Sequence, residues 1–572
     1  MLKIIKRLPL GTLTVALVFV FVQVAAMLYL PYITADIVNI GVMGGNLSYV
    51  WSKSFVMIGA SVLYVISAAL QLFLFSRMSF KLGSDLRADI YSKTLSFSKH
   101  EFDRIGTSSL VTRSTNDVTQ VQNLVEMSCK YLFFSLIVLF GGIFMTYLLS
   151  PTLSLIYLSA LPFLAISYFV IYRFANPLYE KMQKLLDTLN RFFREGLTGV
   201  KIIRAFAKEE QECEKYKTAN REYTHTSVTA ETIMSIFLPL ITMLLSMTAV
   251  FITWVAGKGI AVGTMEVGAI IGAVGYAFVI LRGFGMLTTV VLAVPRGRIS
   301  AKRINEVLDM PISINDPKTA TDTNGTSLVF EKVDFRYQGA EKKTLENINF
   351  SVAQGQTLAI IGSTGAGKSS LVNLLSRLYD VENGCIRIGE ADIRGVNQEE
   401  LHNLVSFAPQ KATLFLGTVR SNMLIGKPNA TDDEIWAALD MAQATEFVRA
   451  FDKGLDSVVE KAGGNFSGGQ KQRLCIARTL IKNADIYVFD DSFSALDFKT
   501  DMNVRVAMRG KLRFAITIIV AQRISTVMDA DMIAVLDNGK LAGLGTHEQL
   551  KESNSVYQEI IDSQFYKEDV AV

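Results

Sequence analysis

Six apolar runs, at about 10–33, 54–76, 131–149, 152–173, 234–256 and 267–294, dominate the first half of the chain. Each is long enough to cross a bilayer, which takes about 20 mostly apolar residues. Ser150 and Pro151 alone separate the third run from the fourth, so those two spans are expected to form a tight hairpin. Spans 2 and 3 are instead joined by the polar stretch 77–130, and spans 4 and 5 by 174–233. Both stretches are poor in glycine and proline, which predicts membrane helices prolonged far into water. Beyond 328 the pattern changes to short apolar strands, glycine-rich turns and amphipathic helical stretches, as in a soluble α/β domain. The expected fold is an α-helical transmembrane domain of six spans fused to an α/β domain. The expected boundaries are 1–311 for the transmembrane part, 312–327 for a linker, 328–567 for the α/β domain and 568–572 for a tail.

Basic residues orient the spans. Arg77, Lys81, Arg87, Lys93, Lys99, Arg104 and Arg113 lie on the first long loop, and Lys181, Lys184, Arg191, Arg194, Lys201, Arg204 and Lys208 on the second. The loops on the other side offer Lys53 and Lys258. The positive-inside rule then places both termini, both long loops and the α/β domain in the cytosol, with the chain a multi-pass protein of the cell membrane. The basic start MLKIIKRLPL precedes an apolar run too long for a signal-peptide core, and is expected to lead into a retained first helix.

Composition adds exclusions. Half of the residues are apolar, mean hydropathy is +0.31 and net charge is only +4, so the basic residues serve topology and give no footprint for nucleic acid. The four cysteines (Cys129, Cys213, Cys385, Cys475) have no metal-ligand spacing and read as free cytosolic thiols. Within the spans Arg282 stands out, because a charge at that depth costs at least about 2.5–3.5 kcal/mol. It is expected either to pair with a polar neighbour, to reach toward the cytosolic side, or to contact cargo; Gln23 in span 1 is a weaker candidate of the same kind. Gly268, Gly272, Gly275, Gly283 and Gly285 in span 6 predict close helix packing.

The α/β domain carries the chemistry. The strand TLAIIG runs into GSTGAGKSS, fitting G-x-x-x-x-G-K-[ST] in its strand–loop–helix setting. Gly362, Ser363, Thr364, Gly365, Ala366 and Gly367 can close backbone N–H groups around phosphate oxygens. Lys368 can reach the terminal phosphates, Ser369 can supply a Mg²⁺ ligand, and Ser370 completes the turn into a helix whose dipole favours an anion. A second anion seat stands at Ser467, Gly468, Gly469 and Gln470, in NFSGGQKQRLCIARTL. One nucleotide does not need two such seats on one chain. Head-to-tail pairing of two domains uses both.

Over nearly its whole length the chain resembles the ATP-binding cassette transporters, specifically half-transporters of the exporter fold. The resemblance is carried by GSTGAGKS, by SFAPQ with Gln410, by FSGGQ, by IYVFDD and by SALD with Asp497. LTGVKIIRAFAKEE and FDRIGTSSLVTRSTNDV look like that family's intracellular loop segments. The resemblance implies a P-loop NTPase cassette, ATP and Mg²⁺ as ligands, Tyr337 stacked on adenine, and Mg²⁺ held by Ser369, Gln410 and Asp490. It also implies a dimer with a second half-transporter, whose long loops carry cassette closure to the membrane helices.

Two positions depart from that pattern. The family's hydrolytic sites follow the magnesium aspartate with a glutamate and place a histidine in a later switch loop. Here Asp491 and Gln522 stand there, and none of the four histidines (His100, His225, His402, His547) falls at that loop. The shorter carboxylate retracts by more than about an ångström, a displacement that can cost about 10²-fold in rate. Gln522 can donate to a phosphate oxygen but cannot titrate. The segment VVEKAGGN also departs from the family pattern ahead of the signature, but FSGGQ itself is intact.

The chain therefore resembles the degenerate-site subunit of bacterial heterodimeric multidrug exporters. Such a subunit binds ATP at a poor site and lends its signature to a partner's good one. The implied cargo is a small amphipathic compound. Lipid, peptide or metal-chelate transport, a slow homodimer, and a regulatory subunit that powers nothing are the alternatives.

Overall fold

A computed structural model describes residues 2–569 apart from 318, 320, 322, 324 and 326, so the last residues of the expected tail and part of the expected linker lie outside the described residues. The chain forms two compact units, 1–94 with 108–310 and 95–107 with 311–572. The second unit includes the middle of the first long loop.

The regular elements described in the membrane unit are all helices. Its principal helices are Leu10–Asp36, Leu47–Leu95, Phe133–Leu149, Pro151–Ala205, Glu209–Ser235, Phe237–Ala261 and Val267–Leu308. Among the described residues five segments are long and apolar enough to span a membrane: Leu10–Val42, Leu47–Leu95, Thr107–Leu149, Glu209–Ala261 and Val267–Leu308. The remaining expected span, 152–173, opens the 55-residue helix Pro151–Ala205, in which Pro151–Phe163 counts as a shorter apolar helix. The hairpin between spans 3 and 4 forms as expected: Ser150 is extended (φ −163°, ψ 121°), and Pro151 takes the first helical position, where its missing N–H costs nothing. Both long connections are helical prolongations. The 49 residues of Leu47–Leu95 rise about 74 Å, more than twice the hydrocarbon thickness.

Span 6 is the packing centre of this unit. Tyr276 donates its hydroxyl to Leu28 O at 2.7 Å, and Tyr157 donates to Ala273 O at 2.6 Å, tying spans 1 and 4 to it. At Gly268 an added Cβ would lie 2.2 Å from Ala35 O and 2.6 Å from Asn39 Oδ1, so only glycine lets these backbones meet. Its N–H also donates to Asn39 Oδ1 at 2.6 Å. Gly285 meets nothing within 4 Å and does not share the packing role expected of it.

In the second unit a six-stranded sheet runs in the order Lys540–Gly545, Met532–Asp537, Thr357–Gly362, Ile516–Val520, Ile486–Asp490, Val405–Ala408. All neighbours are parallel except the first pair. Side chains alternate across a strand, so Leu358 and Ile360 enter one core while Ala359 and Ile361 enter the other. Both faces are covered, which is why these strands read as continuous apolar runs. An antiparallel sheet of Leu345–Val352, Leu328–Phe335, Asn383–Ile388 and Ala391–Asp392 packs into the core that Leu358 and Ile360 enter.

Gly268→Ala is expected to destabilise the protein by about 1–3 kcal/mol through overpacking. Gly285→Ala should be neutral or stabilising by up to about 1 kcal/mol, since glycine costs a helix that much against alanine. Thermal unfolding of both purified variants in detergent checks the contrast.

Candidate nucleotide site

The parallel strands Thr357–Gly362, Ile516–Val520, Ile486–Asp490 and Val405–Ala408 are consecutive neighbours in the sheet, so their carboxyl ends open on one edge. Open α/β sheets bind ligands in the crevice beyond these ends. Four sequence-selected segments emerge there side by side: the loop 362–370, Gln522, the pair Asp490–Asp491, and Gln410.

The loop is shaped by its glycines. Gly367 sits at φ +98°, a left-handed conformation strained for other residues, and a Cβ there would meet Leu345 Cδ2 at 2.7 Å. The helix Lys368–Leu375 starts immediately after it. Lys368 is buried and folds back to donate from Nζ to Gly362 O at 2.7 Å and to Ser363 O at 2.8 Å. Burial lowers its pKa, opposed by the charges of Asp491 and Asp490. Tyr337, expected at the adenine, shares a hydrogen bond with Ser370 Oγ at 2.9 Å. Its ring meets Tyr379 edge-on at 5.3 Å.

Ser369 Oγ donates to Asp490 Oδ1 at 3.1 Å. Burial raises the Asp490 pKa, the neighbouring Asp491 charge adds to that, and the Ser369 bond and Lys368 work against it. A hydroxyl and a carboxylate side by side beneath a phosphate-binding loop are a donor set that fits a hard, oxygen-seeking cation.

Asp491 is 8 % exposed and adopts φ +48°, where aspartate is better tolerated than most residues. Its N–H donates to Val520 O at 3.0 Å, locking the turn to the neighbouring strand. Its Oδ2 accepts from Gln522 Nε2 at 3.0 Å and from Gln410 Nε2 at 3.3 Å. Both departures from the family pattern therefore meet at one carboxylate oxygen, and the loop glutamine joins them.

The signature residues form their own structure. Ser467 caps the helix Gly468–Leu480 in a reciprocal box with Gln470, whose backbone N–H donates to Ser467 Oγ at 3.3 Å and whose side-chain oxygen accepts from Ser467 N at 2.9 Å. Among the described residues no hydrogen bond joins Ser467, Gly468, Gly469 or Gln470 to the phosphate loop. Arg282 is exposed and makes no ion pair or hydrogen bond among the described residues, so the expected intrachain partner is not found. Gln23 is 4 % exposed, and its Oε1 has no hydrogen-bond partner among the described residues.

Sequence reasoning passed over Tyr379 and Glu101. An aromatic just beyond the phosphate-loop helix was the available signal for the first; nothing local marks the second.

Comparison with known proteins agrees with this geometry. The family profile of the ABC transporter transmembrane region matches residues 13–283, and the ABC transporter profile matches residues 345–494. An uncharacterized ABC transporter ATP-binding protein of Mycobacterium tuberculosis is 38% identical over 549 residues, covering 95% of this chain and 94% of that one. The uncharacterized ABC transporter ATP-binding protein YfiB of Bacillus subtilis is 33% identical, covering 97% and 96%. A solved structure of a bacterial Atm1-family ABC exporter with ATP bound superposes with a TM-score of 0.83 at 26% identity, covering 97% of this chain and 98% of that one. The chain belongs to the ABC transporter family. It is an ATP-driven membrane exporter in which a helical transmembrane domain is fused to an ATP-binding cassette.

A hydrogen bond to a charged group is worth about 1.5–3 kcal/mol, so Lys368→Ala is expected to weaken ATP binding roughly 10- to 100-fold. Displacement of a fluorescent ATP analogue from the purified chain reads this loss.

Proposed function

We propose that the chain is one subunit of a heterodimeric exporter of amphipathic, multidrug-like compounds in the cell membrane, with its cassette and both termini in the cytosol. In this reading it binds ATP at a degenerate site of its own and lends Ser467, Gly468, Gly469 and Gln470 to a hydrolytic site whose loop, glutamate and histidine belong to a second half-transporter.

The observation that carries the proposal is the Asp491 carboxylate. Its Oδ2 takes amide hydrogens from both Gln522 and Gln410, which fixes the orientation of the carboxylate and lowers its basicity toward water. A general base must come within about 2.6–3.2 Å of the proton it removes. The backbone of Asp491 is tied to Val520, and the side chain is one methylene shorter than glutamate, so it has little freedom to advance. Gln522 adds no positive charge near the terminal phosphate. By contrast, the parts that bind are complete: the loop, Lys368, the Ser369–Asp490 pair and the aromatic at 337.

Ser369, Asp490 and the side-chain oxygen of Gln410 would hold Mg²⁺, which when bound neutralises phosphate charge. Lys368 would exchange its contacts with Gly362 O and Ser363 O for the terminal phosphates. Asp491 would orient water poorly, and nucleotide would persist. Arg282, which has no ion pair or hydrogen bond among the described residues, is the candidate contact for cargo bearing an anionic or polar group.

Purified alone, the chain is expected to hydrolyse ATP about 10²-fold more slowly than when assembled with a partner carrying the glutamate and histidine. In that assembly Asp491→Glu alone should raise the slow site only modestly, because Gln522 remains. Asp491→Glu combined with Gln522→His should restore it. Robust ATPase from the chain alone, or full activation by Asp491→Glu alone, would overturn the reading.

A further inference from the structure

The backbone passes between the two units three times: after Thr94, after Thr107 and after Met310. The first two passages bracket the short helix Lys99–Ile105, the turning point of the first long loop, which is part of the cassette unit. The third begins the linker. Ser98 and Ser313 bring these segments together, their hydroxyl oxygens 2.9 Å apart.

Glu101 lies between them, 2 % exposed. Its Oε2 accepts from Ser98 N at 2.7 Å and from Ser98 Oγ. This is the capping box of the short helix, with Glu101 at its third position. The box explains one oxygen. The other, Oε1, accepts from Ser313 N at 3.2 Å and Ser313 Oγ at 2.7 Å, and faces His100 Nδ1 at 3.3 Å. A helix cap has no need of a partner 212 residues away in sequence.

Burying a carboxylate is costly unless hydrogen bonds satisfy it. Burial pushes the Glu101 pKa up, but the donors from Ser98, Ser313 and His100 outweigh it and hold the value at about 2. The group stays charged at any physiological pH, and its bonds to loop and linker persist. Two outer contacts seat the same helix. Tyr379 donates its hydroxyl to Asp103 Oδ2 at 2.7 Å, and His100 Nε2 bonds Gln338, next to the nucleotide-side Tyr337.

We propose that Glu101 is a positioning residue that fuses the first-loop helix and the linker into one block, so that all three passages between the units shift together when the cassette responds to nucleotide. This role is independent of whether the Asp491 site is degenerate, because it concerns the response to binding and not to hydrolysis.

The test uses the full-length chain in lipid nanodiscs, with the non-hydrolysable analogue AMP-PNP as the probe and hydrogen exchange read by mass spectrometry. In the natural protein, AMP-PNP should change exchange in 95–107 and in 311–317 by the same factor. Ser313→Ala leaves the capping box intact. It is expected to bind AMP-PNP within about twofold of the natural affinity while the two factors diverge by about threefold or more. A Ser98→Cys, Ser313→Cys pair, oxidised to a disulfide, should replace the carboxylate link and restore matched factors even with Glu101→Ala. The proposal is overturned if Ser313→Ala leaves the factors matched. It is also overturned if the disulfide abolishes the AMP-PNP response and reduction restores it, since loop and linker would then have to slide past each other.

Discussion

A sheet can deliver several loops to one edge only if its strands run in the same direction. The four parallel strands ending at Gly362, Val520, Asp490 and Ala408 meet that condition, and everything the cassette does follows from it. The register places the phosphate loop, the switch-loop Gln522, the Asp490–Asp491 pair and Gln410 next to one another without any long-range adjustment. It also makes each position sensitive to its neighbours. The Asp491 turn hangs from Val520, the last residue of the adjacent strand, and the side chain of Gln522 reaches back to the same aspartate. The residues at 491 and 522 are therefore joined in one contact, in which a carboxylate accepts from an amide.

The membrane unit answers a different constraint. In lipid every backbone group must be satisfied within its own helix, and helices gain little by hiding apolar surface from one another. Close approach and a few buried hydrogen bonds must hold them. Span 6 supplies both: Gly268 meets the backbone of span 1, while Tyr276 and Tyr157 link spans 1 and 4 to it through carbonyl oxygens. The same helix runs on to Leu308 and so to the linker that Glu101 grips.

Much of this was legible in the chain. The phosphate loop could be read because its backbone demands glycine at particular positions, and Gly367 at φ +98° is such a demand. The spans could be read because hydropathy over about 20 residues leaves few alternatives. Asp491 and Gln522 could be read as departures, but not as partners. Their contact depends on strand order and on a left-handed turn, neither of which has a local signal. The Gln410 amide nitrogen also donates to Asp491, a contact between neighbouring strand ends that has no local signal. Glu101 was invisible for a related reason, since its second oxygen finds Ser313 across most of the chain's membrane portion. The even packing expected of the span 6 glycines fails at Gly285, because a glycine's neighbours are set by tertiary contact and not by its own residue type.

The central claim is that this cassette binds ATP well and turns it over poorly. Rapid-quench, single-turnover hydrolysis in the assembled dimer, with both sites loaded, tests it most directly. The account predicts two phases of equal amplitude, one bound ATP cleaved quickly and the other about 10²-fold more slowly. The slow phase should be assigned to this chain by its loss in Lys368→Ala. A single fast phase accounting for both nucleotides would contradict it.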